Sequence, residues 1–355
     1  MMTLSRRDAI HGVRTCLVLL FILLFTSCYD LRELPDRAFV IGIAIDKNDG
    51  NIAVTLSTAN VEVISERGDP EDMETLVKAE AASLSAALRQ LNNSVSRSVF
   101  FGHAKLLVLG EELLKDAELL ETVLDTLQRN NEVNHRIIVL SAENAGDTLD
   151  FEKNKEPLLG FFAVNYFENN YAPVPRMDLE TLINKMRTGQ TALIPKLNID
   201  GEVSISGAAV TRGFKLLGTL DNNESIGLAW FLGKPAGAIV TAEGASFEVG
   251  RSHRSVNFTE KDGKLHCRIT LTVTGSLTCA RNRNNLTQAF EKEIASAVET
   301  TFKKLYNELN TDGFGLRELL HRHNRHLYNR HKDNMPETVI TVEVNVNLTD
   351  SGTTS

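Results

Sequence analysis

The chain has 355 residues, a net charge of -8, 42% hydrophobic and 24% charged residues, close to globular averages that exclude disordered, collagen-like and low-complexity architectures. At about 100–200 residues per domain, the length accommodates two or three domains. No internal stretch approaches the roughly 20 apolar residues that span a bilayer.

The one concentrated apolar run lies at the N-terminus. Arg6, Arg7 and Arg14 precede or flank Cys16 to Phe25, which leads into Thr26-Ser27-Cys28. A basic flank, a short apolar core and small residues before a break read as a secretory signal over residues 1–27. Its apolar core covers about 15 Å, half of a ~30 Å hydrocarbon layer, so the chain after it is exported rather than membrane-spanning. Small residues before a cysteine are the pattern of a bacterial lipoprotein signal, cleaved between Ser27 and Cys28. Its chemistry needs a thiol, because the thiolate is the nucleophile that takes the diacylglyceryl group. Cys28 is thus the expected lipidation site, carrying an S-diacylglycerol and, once it is the N-terminus, an N-acyl chain such as palmitate. The plain alternative is an ordinary signal with a chance cysteine. Two acyl chains anchor stably where one does not, so the reading is a body tethered to a membrane surface.

Removing residues 1–27 leaves 35 Lys and Arg against 45 Asp and Glu, a net charge of -10. An acidic body argues against nucleic acid and against a polybasic docking surface. Of the remaining cysteines, Cys267 and Cys279 bracket an apparently continuous strand. They would stand about 40 Å apart unless Gly275 turns the chain back, so both are expected to be free, buried thiols.

In chain order, Phe39 to Ile45 is a strand ending at Asp46, and Asn48-Asp49-Gly50 is a hairpin turn into a partner strand from Ile52 to Val63. Leu76, Leu84, Leu88 and Leu91 suggest a helix over Glu74 to Leu91. Ala104 to Leu109 reads as a buried strand, Glu111 to Arg129 as a second helix and Arg136 to Leu140 as a strand. Residues 151–200 read as a helical connecting region or second domain, with a new sheet beginning near Thr191. Strands follow at Val203–Arg212, Phe214–Leu220, Ala238–Ala242, Ser246–Phe258 and Leu265–Leu277, with a short helix at Glu224–Leu232. A long helix runs from Asn285 to Leu309, its apolar residues recurring every three to four positions. Thr338 to Leu348 is the closing strand. The fold class is mixed α/β (α+β): three small domains, each a sheet flanked by helices, over residues 28–150, 151–200 and 201–350 after the lipoprotein signal peptide.

Candidate chemistry is sparse. No Gly-rich phosphate loop, nucleophile elbow or zincin helix occurs. His323 and His326, within His321-Arg322-His323-Asn324-Arg325-His326 and followed by His331, could share a helical face and ligate a metal. The interleaved Arg322, Arg325 and Arg330 oppose a dication and favour a solvated basic helix end. His103 is a candidate base, against the blander reading of a satisfied, partly buried histidine after a turn-forming Gly102. Asp46 and Asp312 read as turn or cap residues rather than paired acids. Trp230 reads as a core anchor rather than a ligand-stacking surface. No catalytic, metal or cofactor residue is assigned, and the expected protein is not an enzyme.

Several segments together resemble the Ger(x)C family of spore germination lipoproteins. Cys28-Tyr29-Asp30-Leu31-Arg32-Glu33-Leu34 and Val40 to Asp46 match the start of the mature family chain, with Tyr29 in place of the common Trp. Phe101 to Glu111 is similar to its Gly-x-His segment. Gly207 to Val210, Leu217 to Leu220 and Glu224 to Trp230 are similar to its central block, and Thr311-Asp312-Gly313-Phe314-Gly315 to its Asp-x-Phe-Gly stretch. The resemblance implies a non-enzymatic C subunit of a nutrient germinant receptor, lipid-anchored on the outer face of the spore inner membrane. It would act in receptor assembly and signalling beside A and B membrane subunits. Cys28 is the one site that carries over residue by residue, as the lipid attachment point; the matching segments at Gly102-His103 and Gly207 to Val210 are interface or fold positions, the two not separated. The alternatives are a substrate-binding lipoprotein of a transporter and a lipid-anchored envelope hydrolase.

Overall fold

A computed structural model describes residues 37–150, 156–169, 172–232, 235, 237–279 and 285–349. The expected signal, its cleavage point and Cys28 lie outside these residues. Strand β1 (Arg37–Asn48) turns at Asp49 and Gly50 into β2 (Asn51–Ala59). Both turn residues have positive φ, 43° and 86°, the two-residue geometry that matches strand twist. The expected partner strand ends early, because Val61–Glu66 forms a short exposed helix, α1.

The expected helix over Glu74 to Leu91 is half strand. β3 (Glu74–Ala81) pairs antiparallel with β2 from Ala59–Glu74 to Ile52–Ala81. Helix α2 (Leu84–Ser94) starts only where the Ser83 hydroxyl accepts the Ala86 amide. Leu76 and Leu84 fit a common stripe by number, yet Leu76 packs against the core on one face of the sheet and Leu84 belongs to the core on the other. Tertiary pairing overrides the helix propensity of this Ala- and Glu-rich stretch.

After β4 (Ser98–Phe100) comes β5 (Leu106–Gly110), buried along its whole length. The expected helix from Glu111 to Arg129 breaks into α3 (Glu111–Lys115) and α4 (Ala117–Arg129). Asp116 accepts the Leu119 amide at 3.1 Å and so caps the second piece. β6 (Ile138–Ala142), α5 (Ala145–Thr148), α6 (Leu159–Asn169) and α7 (Leu179–Arg187) follow. β1, β5 and β6 run parallel, with α2, α4 and α7 on one face and α5 and α6 on the other. Burial on both faces explains why β5 and β6 read as continuous apolar runs.

β7 (Thr191–Ile199), β8 (Val203–Arg212) and β9 (Lys215–Leu220) form an antiparallel meander. It is not a separate sheet: β7 joins β6 at the single pair Ser141–Lys196, giving the order β3-β2-β1-β5-β6-β7-β8-β9 with β4 on β1. A border between residues 200 and 201 falls in the turn of the β7–β8 hairpin.

The second sheet is β10 (Ile239–Ala242), β11 (Ala245–Lys261), β12 (Lys264–Cys279) and β13 (Val339–Thr349), in that order. Its inner face packs on α8 (Asn222–Leu232) and α9 (Leu286–Phe302) through Phe247, Leu271, Phe290 and Ile294. The expected helix to Leu309 leaves α geometry at Lys303, where Lys303–Glu308 winds as a π-helix. Two short helices, α10 (Leu316–His323) and α11 (Arg325–His331), lead back to β13. β12 does not turn at Gly275. Cys267 is free and buried on it, burial pushing its thiol up to about 12.

Candidate functional site

Asp46 is a cap supplied from a distance. Its two carboxylate oxygens accept the Ala145 and Gly146 amides at 2.8 and 2.7 Å, tying the end of β1 to the start of α5. Burial pushes its carboxyl above the usual range, and the two amide bonds pull the other way. A Cβ at Gly110 would lie 2.0 Å from its Oδ1, so the glycine after β5 is what leaves room for the carboxylate.

His103 is exposed, not partly buried, and its ring meets the edges of Phe39 and Phe100 with centroids 5.4 and 5.6 Å away. A Cβ at Gly102 would stand 2.6 Å from the Phe100 ring. Gly207 has φ 77°, and a Cβ there would lie 2.4 Å from the Leu220 carbonyl oxygen, which makes it a fold position. Trp230 is buried in the core between the second sheet and its helices.

His323 and His326 do not share a helical face. Asn324 ends α10 and caps α11 by accepting the Leu327 amide at 3.0 Å. His321 packs its ring on Tyr328, centroids 4.6 Å apart. His331 departs from the solvated basic end: it is buried, its Nε2 3.4 Å from one Glu260 oxygen while the other Glu260 oxygen pairs with Arg330. Among the described residues no group of three His, Cys, Asp or Glu side chains is placed to hold a metal ion.

Asp312 organises an irregular stretch of backbone. It follows the π-helix and Asn310, whose φ is 49°. Its carboxylate accepts the Leu316 and Arg317 amides, both at 2.8 Å, and the hydroxyl of fully buried Tyr306. Phe314 stacks on Phe231 at 4.3 Å, and a Cβ at Gly313 would come within 2.6 Å of the Leu305 side chain. Gly315 takes φ 71° to start α10. Asp-Gly-Phe-Gly is therefore a cap, a close approach, a core plug and a left-handed turn in succession.

This stretch forms one wall of a cavity of about 600 Å³. The other wall is the end of α7, residues Thr188 to Thr191 and the end of β8. The Thr191 and Thr311 hydroxyls share a hydrogen bond of 2.7 Å, and Arg212 donates to the Asn310 carbonyl at 3.1 Å. Those two links hold the walls at their base. Lys185, Arg212, Arg317 and Lys332 line the cavity together with Asp312, Glu318 and Asp333. This cleft is not legible in the sequence, because its residues come from four separated segments. The signals within reach were the Asn-Thr-Asp-Gly turn and the cations around it. Non-glycine residues at positive φ cluster at functional sites, and here Asn310 lines the cavity.

Comparison with known proteins covers nearly the whole chain. Residues 30–199 match the family described as spore germination protein N-terminal domain, and residues 206–352 match spore germination B3/GerAC like, C-terminal. Spore germination protein YndF of Bacillus subtilis (strain 168) is 26% identical over 95% of this chain and 96% of its own. Spore germination protein KC of the same organism is 24% identical, covering 96% and 97%. The crystal structure of the GerBC protein superposes with a TM-score of 0.57 at 20% identity, over 90% of this chain and 99% of that one. That last likeness is one of fold.

Proposed function

From membership in the Ger(x)C family of spore germination proteins, to which this chain belongs, we propose that it is the lipid-anchored C subunit of a nutrient germinant receptor. It acts in receptor assembly and signalling, without catalysis, beside A and B membrane subunits on the outer face of the spore inner membrane. The observation that carries this reading is positional. The family's N-terminal domain begins at residue 30, two residues past Cys28, where a lipoprotein signal would place the mature N-terminus. No helix among the described residues is long and apolar enough to cross a membrane, so on this reading the acyl chains do the holding. At about 0.8 kcal/mol per buried methylene, two chains suffice.

The test is germination of spores lacking this gene and its sister receptors, complemented with wild type or Cys28→Ala, over a nutrient panel. Wild type restores one nutrient response and fractionates with membranes; Cys28→Ala protein leaves the membrane fraction and restores that response poorly. A Cys28→Ala protein that stays on the membrane with full response removes the lipid anchor. Loss of solute uptake instead of germination in the deletion moves the chain to the transporter-binding alternative.

A further inference from the structure

The cleft beside the Asp312 turn is built from both family domains, the kind of place where small-molecule sites concentrate. Its charge is not used up by the fold. Lys185 and Arg212 stand on one wall, Arg317 and Lys332 on the other. Of the acids sharing the cavity, Asp312 is spent on two amides and the Tyr306 hydroxyl, and Glu318 is held by Arg322 one turn along α10. Asp333 lies 3.8 Å from Arg317, a long contact between exposed groups. Among the described residues Lys332 has no ion-pair partner. Cations therefore outnumber the acids free to answer them, in a chain whose net charge is -8.

We propose that the cleft binds a small organic polycarboxylate, one carboxylate meeting Lys185 and Arg212 and a second meeting Arg317 and Lys332. The donors present decide the class of anion. Phosphate sites draw on free backbone amides at a helix N-terminus, and at the start of α10 the Leu316 and Arg317 amides are already bound to Asp312. What remains are side-chain cations on opposite walls, with two guanidinium forks of the shape that pairs with carboxylate. The Gln190 amide adds a neutral donor to the first wall. A volume of about 600 Å³ lies within the roughly 300–1,000 Å³ of small-molecule pockets. A ligand spanning both walls would stiffen the junction between the two halves. This site stands apart from the receptor reading, which its failure would leave intact.

Calorimetric titration of the detergent-solubilised full chain at low salt tests it, with succinate, citrate, acetate and inorganic phosphate as probes. Succinate or citrate binds saturably, and acetate, which reaches one wall only, binds at least tenfold more weakly. Lys332→Met lowers the affinity tenfold or more, about 1.4 kcal/mol, and Lys185→Met does the same while Lys185→Arg retains binding. Lys292→Met, on the exposed side of α9 away from the cleft, changes nothing. Far-ultraviolet circular dichroism of each variant confirms the fold. No saturable binding of succinate or citrate overturns the proposal, as does binding indifferent to Lys332→Met. Phosphate binding without polycarboxylate binding overturns the ligand class.

Discussion

Asp312 closes a turn that local sequence marks only as Asp-Gly-Phe-Gly. Its cap on α10 is the ordinary use of an aspartate before a helix, worth about 1 kcal/mol. Its bond to Tyr306 is the larger matter, because that phenol is 1% exposed. Burial, reinforced by the neighbouring carboxylate, pushes the Tyr306 hydroxyl well above its usual range, so it remains a donor that needs an acceptor. Stranding a buried donor costs about 1–3 kcal/mol, so Asp312→Ala should lose about 2–4 kcal/mol in all. Asp312→Asn, which keeps an acceptor oxygen, should lose less. Urea unfolding of the full chain measures both, and a loss for Asp312→Ala no larger than that of a surface substitution counts against this role. The type of role was legible in sequence for Asp312 and for Asp46, since carboxylates beside turns cap helices. Their partners were not legible: Asp46 caps a helix that begins 99 residues later.

At the level of elements, two helices meet where a side chain is forbidden. Gly227 of α8 lies so close to α9 that a Cβ would stand 2.3 Å from the Thr301 hydroxyl oxygen and 2.4 Å from the Ala297 carbonyl oxygen. Alanine improves helix propensity by about 1 kcal/mol over glycine. Overpacking against backbone costs about 1–3 kcal/mol and sometimes more, and the Ala297 carbonyl cannot rotate away. Gly227→Ala should therefore destabilise by about 2 kcal/mol or more, seen as a lower urea midpoint. Gly250→Ala, whose Cβ would meet nothing closer than 3.5 Å, should stay within about 0.5 kcal/mol of wild type. Equal midpoints for the two variants would show that α8 and α9 can part at little cost. Elements with a strong period were legible: α9 as far as Phe302, the strands β11 and β12 and the Asp49-Gly50 hairpin stand where periodicity and turn chemistry put them. β3 was not, because its alanines and glutamates favour a helix and only the β2 ladder holds it extended. Nor was the break at Asp116, where one capping side chain outweighs a continuous apolar stripe.

For the whole molecule, strand pairing across long separations decides the architecture, and that is where sequence reading is weakest. β7 meets β6 at one pair, yet runs beside β8 from Thr191–Arg212 to Ile199–Val203. The two family domains, which meet between residues 199 and 206, are thus joined through a hairpin rather than a linker. The cores cross the same line: Ala209 belongs to the core under the parallel strands, and Val174 and Leu193 to the core under the second sheet. A fragment of residues 28–200 would leave the β7 edge open and apolar, the template that invites misassociation. A fragment of residues 28–220 retains β8 and β9 and closes that edge. In urea unfolding followed by circular dichroism, with a dye that binds exposed apolar surface, the longer fragment should show a cooperative transition. The shorter one should give a broad transition and strong dye binding. Equal cooperativity in both would mean that the first family domain is complete without the hairpin.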